Sequence, residues 1–236
     1  MKKMFLHLVV FMAIFLCGHG ISHANLSDGL IAYYPFDGDA HDKSGNGNHG
    51  IVYGATLVKD VYGNPNGAYY FDGMSNYIEV PRKESLNITT SLSIGAWVYI
   101  ESYTSGWSPI ICKGNTSSMK SPYALLGLSN NPALLLNRES LVGISIIPQN
   151  QWVHIAATWD GATVRFYING IEDPLTHVFS KPLGVTDESL IIGSDPPGQN
   201  EWFHGKLDEI RIYNRALSES EIQLLADKLQ TQMSVH

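Results

Sequence analysis

Between Phe36 and Gly50 the sequence reads FDGDAHDKSGNGNHG, which gathers carboxylates at Asp37, Asp39 and Asp42, amide oxygens at Asn46 and Asn48, and several glycines. Calcium takes about 6–8 oxygens in flexible geometry, and such a loop can supply them from side chains and inward-turned carbonyls. Far along the chain, in KLDEIRIY, Asp208 shares the period-two register of Ile210 and Ile212, whereas Glu209 and Arg211 alternate to the other side. The isoleucine face should be the buried one. An ionised carboxylate there needs hydrogen-bond donors or a cation, because an uncompensated buried charge costs several kcal/mol. The expected metal set is therefore Asp37, Asp42, Asn46, Asn48 and Asp208, with Asp42 and Asp208 foremost. The plain alternative is an Asn/Gly-rich turn with solvated acids.

Catalytic constellations are harder to find. The nine histidines are scattered without zinc-ligand spacing, and neither a Gly-x-Ser-x-Gly elbow nor a phosphate-cradling glycine loop occurs. His154 reads as a structural hydrogen-bonding group. Binding is then the default, and a sugar site combines an aromatic platform with a few polar groups, since the C–H face of a ring stacks while its hydroxyls need partners. Tyr103 and Trp107 in ESYTSGWSP and Trp202 in GQNEWFHG lie outside clear strand register, so they are the expected ligand-binding aromatics. Phe203 reads as a packing residue. Trp97, Trp152 and Trp159 read as core.

The elements that must hold these groups are strands. QWVHIAATWDGATVRFYING, Gln151 to Gly170, alternates Val153, Ile155 and Ala157, then Val164, Phe166 and Ile168, around Asp160-Gly161, which predicts a β-hairpin. Asn169-Gly170 predicts a second tight turn and a further strand. Leu92 to Ile100 is apolar on both faces and suits a central strand. Shorter runs at 29–36, 51–53, 67–81, 109–113, 123–128, 134–137, 141–146, 189–194 and 206–213 complete the pattern. A helix begins at Ser218 with Glu221 three residues on as a capping box, and Ile222, Leu225 and Leu229 give it one apolar stripe. Many short strands with almost no helix predict a sandwich or barrel.

Residues 1–24 have the form of a secretory leader: Lys2 and Lys3, an apolar run from Phe5 to Cys17, and Ser22-His23-Ala24 before the expected cut. That leaves a single domain over 25–236, secreted or periplasmic, with a short polar tail. The net charge is −7, and the leader carries two lysines and no acid, so the remainder is more acidic still. Nothing in it suits nucleic acid or an anionic lipid surface, and no later apolar run spans a membrane. Only Cys112 remains beyond the leader, flanked by Ile110 and Ile111, so no intrachain disulfide forms and a buried thiol is expected.

The hairpin, the Phe71 to Pro81 run FDGMSNYIEVP, the 36–50 loop and LDEIRIYNRALSESEI resemble the laminin G-like, concanavalin A-like lectin sandwiches, from about Gly29 to about Leu225. The resemblance implies an all-β jelly roll of two antiparallel sheets with a short C-terminal helix. It also implies a structural calcium near the 36–50 loop. The Glu-x-Asp-x-x-Glu strand of the glucanase relatives is absent, and Glu219 and Glu221 belong to the helix cap. The expected protein is a non-enzymatic secreted binder of an extracellular glycan or protein ligand. An adhesive module and a lyase or hydrolase on the same fold are the alternatives.

Overall fold

A computed structural model describes residues 25–103, 106–115, 120–195 and 201–227. The expected leader, 1–24, lies outside the described residues. In chain order the strands are β1 (Leu30–Tyr34), β2 (Ile51–Tyr53), β3 (Thr56–Val58), β4 (Ala68–Asp72), β5 (Tyr77–Val80), β6 (Leu92–Tyr103), β7 (Trp107–Asn115) and β8 (Lys120–Leu128). They continue with β9 (Asn131–Leu136), β10 (Glu139–Val142), β11 (Trp152–Trp159), β12 (Thr163–Ile168), β13 (Ile171–Glu172), β14 (His177–Val178), β15 (Leu190–Ile192) and β16 (Phe203–Tyr213), and a helix α1 covers Glu219–Ala226.

Two antiparallel sheets result. The larger runs β13-β12-β11-β6-β16-β4-β3, with β1 also on β16 and β14 on β12; the smaller runs β10-β9-β8-β7-β15-β5-β2. The predicted hairpin is β11 and β12, paired from Ile155↔Ile168 to Trp159↔Val164. Its odd-numbered inner face, Val153, Ile155 and Ala157, meets Val164 and Phe166 in one core with Ile94, Val98 and Ile100 of β6 and Ile111, Leu125 and Leu134 of the smaller sheet. Alternation of apolar and polar residues along a strand buries one set between the sheets and turns the other outward.

Two interruptions of that alternation decide where the functional candidates lie. Both fall where β6 pairs with β16, with register shifts between His204 and Gly205 and between Asp208 and Arg211. At the second, Glu209 takes a positive φ of 52°, uncommon for a residue with a side chain. Such a bulge puts two residues opposite one and resets the face assignment beyond it. Leu207 therefore points into the core, as do Ile210 and Ile212, while Asp208 sits opposite Trp97 on the outer face. At the first shift Gly205 holds φ 144°, and a Cβ there would stand 1.9 Å from the Tyr99 carbonyl oxygen, so only glycine fits.

Helix α1 starts as the sequence predicts. Ser218 Oγ accepts from the Glu221 amide and Glu221 returns a bond to the Ser218 amide, while Arg215 grips the same carboxylate at 2.6 and 2.9 Å. Its Ile222 and Leu225 pack with Leu217 onto Ala156, Tyr167 and Tyr213, on the outer face of the larger sheet.

Candidate functional site

The outer face of the smaller sheet holds a pocket of about 230 Å³ lined by Trp107, Pro109, Cys112, Leu126, Leu135, Arg138, Asp195 and Glu201. Its floor follows from the register. Leu135, Ala124, Cys112 and Ile191 form one row across β9, β8, β7 and β15, all on the side away from the core. Small residues at Ala124 and Cys112 leave a hollow between larger neighbours, and Trp107 packs against that group as a half-buried wall. Burial holds the Cys112 thiol well above its ordinary range, so it is an inert floor residue and not a nucleophile.

The polar rim comes from two turns. Asn137 and Arg138 both take positive φ, 48° and 70°, as the tight β9–β10 hairpin requires, which sets Arg138 at the pocket. Asp195 and Glu201 flank the connection from β15 to β16, tied by an Asp195 amide to Glu201 carbonyl bond of 3.1 Å and by Ser194 Oγ, which donates to the carbonyls of both. Burial and the neighbouring Asp195 raise the Glu201 carboxyl above its usual range. The site thus offers one ring, an apolar floor, two acids and one guanidinium.

Of the predicted ligand-binding aromatics, Trp107 lines this pocket. Trp202 follows Glu201 directly, bridges to Ser194 and lies 6.4 Å from the Tyr77 ring. Tyr103 does not join them. Strand β6 runs on past Ile100, and the bulge at Glu101 turns Tyr103 inward opposite Phe203, against the core and beside Gly127. Burial pushes its phenol up to about 12, and its hydroxyl has no hydrogen-bond partner among the described residues. Trp159 lies in the core as expected, Trp97 is buried on the outer face, and Trp152 is half-buried there.

The predicted metal set divides. The Asp42 carboxylate accepts from the amides of Tyr33, Ser44 and Asn48 and from Ser44 Oγ at 2.8–3.0 Å, which fills its lone pairs with donors from its own loop and β1. The Asn46 side chain donates to the carbonyls of Leu30 and Ile31 and Asn48 to that of Ile31, while Asn48 Oδ1 accepts from Ser85. These three residues fit a hydrogen-bonded clasp on β1 and do not fit a calcium cage. The SGNGN run is a self-satisfied turn.

Asp37 and Asp208 stand apart from that clasp and share acidic neighbours, Glu209 and Asp60. Asp208 is buried, accepts from the amides of Glu209 (2.7 Å) and Val61 (3.4 Å), and is pushed up to about 9 by burial and then by Glu209. Asp60 is occupied by the Tyr62 and Asn64 amides and the Asn64 side chain, and Glu209 by Tyr33 and by Arg211 at 2.6 Å. Among the described residues no group of three or more His, Cys, Asp or Glu side chains is placed to hold a metal. Sequence reasoning missed Arg138, Asp195 and Glu201. Asp195 opens a visible loop signal, DPPGQNEW, but an arginine at a tight turn gives none.

Fold and sequence agree on the class. The chain belongs to the concanavalin A-like lectin/glucanases superfamily, whose family model matches residues 72–223. No curated protein matches it. Among solved structures, it is similar to domain 4 of AbnA, a GH43 extracellular arabinanase from Geobacillus stearothermophilus, solved in complex with arabinotriose, with 25% identity, 84% of this chain and 98% of that one covered, and a TM-score of 0.65. The binding domain of Paraclostridial Mosquitocidal Protein 1 shares the fold at 18% identity and a TM-score of 0.71, covering 87% of this chain and 53% of that one. So does the botulinum neurotoxin serotype D ligand-binding domain, solved with N-acetylneuraminic acid, at 17% identity, 85% and 51% coverage and a TM-score of 0.66. The chain spans about half the length of these toxin domains. No described helix is long and apolar enough to cross a membrane.

Proposed function

We propose that this chain is a secreted, non-catalytic glycan-binding domain whose site is the pocket on the outer face of the smaller sheet. The observation that carries this reading is the pocket's composition: Trp107 stands over an apolar floor beside Arg138, Asp195 and Glu201, an apolar face and hydrogen-bonding groups in one hollow. The arabinotriose complex of the arabinanase domain supports it by similarity. Retention of the protein on immobilised or gel-embedded polysaccharides tests it. Trp107→Ala should remove retention, and unchanged retention by that variant would refute the site.

The two carboxylates that line the pocket, Asp195 and Glu201, favour hydrolysis as a second reading, since glycoside cleavage uses a pair of acids. Reducing-sugar release from the retained polysaccharide, lost in Glu201→Gln, would establish that reading and displace the non-catalytic one.

A structural calcium belongs to the proposal on a reduced donor set, Asp37 and Asp208. What supports it is the burial of Asp208, which with the neighbouring Glu209 pushes its carboxyl up to about 9, a shift that a bound cation would reverse. Calcium should raise the melting temperature, with roughly 2.7 kcal/mol of stabilisation at 100 times the dissociation constant. Asp208→Asn, shaped like the neutral acid, should fold and lose that response. A calcium response that survives in Asp208→Asn would move the metal elsewhere.

A further inference from the structure

Beyond the pocket, toward the β2 edge of the sheet, lie further aromatic rings. Glu201 lines it, Trp202 is next in the chain, and the Trp202 ring lies 6.4 Å from Tyr77, which stacks on Tyr53 at 4.6 Å with 13° between the rings. Tyr77 opens β5 and Tyr53 closes β2, its pairing partner, so both lie at the same end of the smaller sheet as Trp107, which opens β7. Both tyrosines point outward, because Ile78 and Val80 are the β5 residues in the core. Tyr53 is 41% exposed on the edge strand.

Two such rings packed face to face on adjacent strands stand on edge. The two rings cover each other's faces, so what the pair offers a ligand is ring edge and phenol hydroxyl. From β7 across β15 and β5 to β2 is three strand spacings, about 14 Å. That reach exceeds one sugar ring. Charge narrows the ligand further: Asp195 and Glu201 line the pocket, Glu79 points outward between Ile191 and Ile51, and among the described lining residues Arg138 is the one cation. A uronate or sialate chain would bring more negative charge to a face that already carries it, on a chain of net charge −7.

We infer that this face takes an internal stretch of a neutral, linear polysaccharide several sugars long, with one sugar in the Trp107 pocket and the next ones passing Trp202 to the hydroxyls of Tyr77 and Tyr53. The inference rests on the glycan-binding reading of the pocket and adds the length and charge class of the ligand. A series of neutral oligosaccharides of one to six units, drawn from whichever polysaccharide the protein retains, tests it by calorimetry. The probe variant is Tyr53→Phe/Tyr77→Phe, which keeps the stacked pair and removes only the hydroxyls.

Affinity should rise with length to about three or four units, and the double variant should lose about tenfold on the longer oligosaccharides while leaving the shortest unchanged. Affinity independent of length, with the double variant indistinguishable from wild type, would overturn the inference while the pocket stands. Preferential retention on a uronate polymer would overturn the charge assignment. Loss of no binding in Trp107→Ala would sink the pocket itself, a distinct outcome.

Discussion

The two outer faces of this sandwich are made from the same kinds of residue and arrange them differently. On the larger sheet several polar groups pair with one another over a closed surface. Arg211 pairs with Glu209 at 2.6 Å and lies 3.9 Å over the Tyr33 ring, Tyr33 donates to the same carboxylate, and His154 packs on Trp97. Helix α1 covers a further part. Even the half-open aromatics there are taken: Lys206 Nζ stands 4.2 Å over the ring of Tyr99, the face a sugar would need. On the smaller sheet the corresponding groups surround a hollow. Aromatic content alone therefore does not mark a binding face; what distinguishes the smaller sheet is a hollow with a ring and charged groups in its lining.

This contrast can be attacked from the structural side first. Arg211→Ala leaves Glu209 buried without its cation, at a residue already held at positive φ, and should cost about 3–5 kcal/mol in urea unfolding. A loss below about 1 kcal/mol would mean the network is ornamental. Next comes acid. His154 is buried and its pKa is lowered to about 3 by burial and then by Arg211. A depressed histidine contributes stability that is complete above about 6.5 and declines as pH falls toward 3. The stability difference between wild type and His154→Phe should change across that window by one proton's slope, about 1.4 kcal/mol per pH unit, and a difference independent of pH would contradict the assignment.

Trp107→Ala is the sharper probe of the other face. It should lower glycan affinity at least about tenfold and shift unfolding by less than about 1 kcal/mol, since the ring is only half-buried. The smallest expected effect is at the helix. Glu221 is held down to about 2 by Arg215 and the Ser218 donors, so its contribution is present above about 4.5 and lost as pH falls toward 2. Glu221→Gln should cost about 1 kcal/mol at pH 7, and the difference from wild type should close below pH 4.

Much of the architecture was legible because it rests on local rules. Alternation around Asp160-Gly161 placed the hairpin, and Ser218 with Glu221 placed the helix start, with their hydrogen bonds as expected. The two short strands β3 and β14 were not anticipated, since three- and two-residue edge strands carry no periodicity. The site was half legible. Trp107 and Trp202 stand at or beside the pocket, but Tyr103 and Asp208 face the other way from their expected sides for one reason: bulges in the β6–β16 pair flip the inside set, and a bulge is a property of the pair. Asp42, Asn46 and Asn48, expected as metal ligands, lie together, and their oxygens and amides close a turn on β1.

The most direct test sets the two faces against each other in one experiment. Wild type, Trp107→Ala and Trp152→Ala, each confirmed folded by its melting curve, are run through native gels containing a panel of neutral polysaccharides. The account predicts a polysaccharide that retards wild type and Trp152→Ala equally and leaves Trp107→Ala at the mobility of a sugar-free gel. Retardation lost in Trp152→Ala and kept in Trp107→Ala would put the ligand on the larger sheet and contradict the assignment made here.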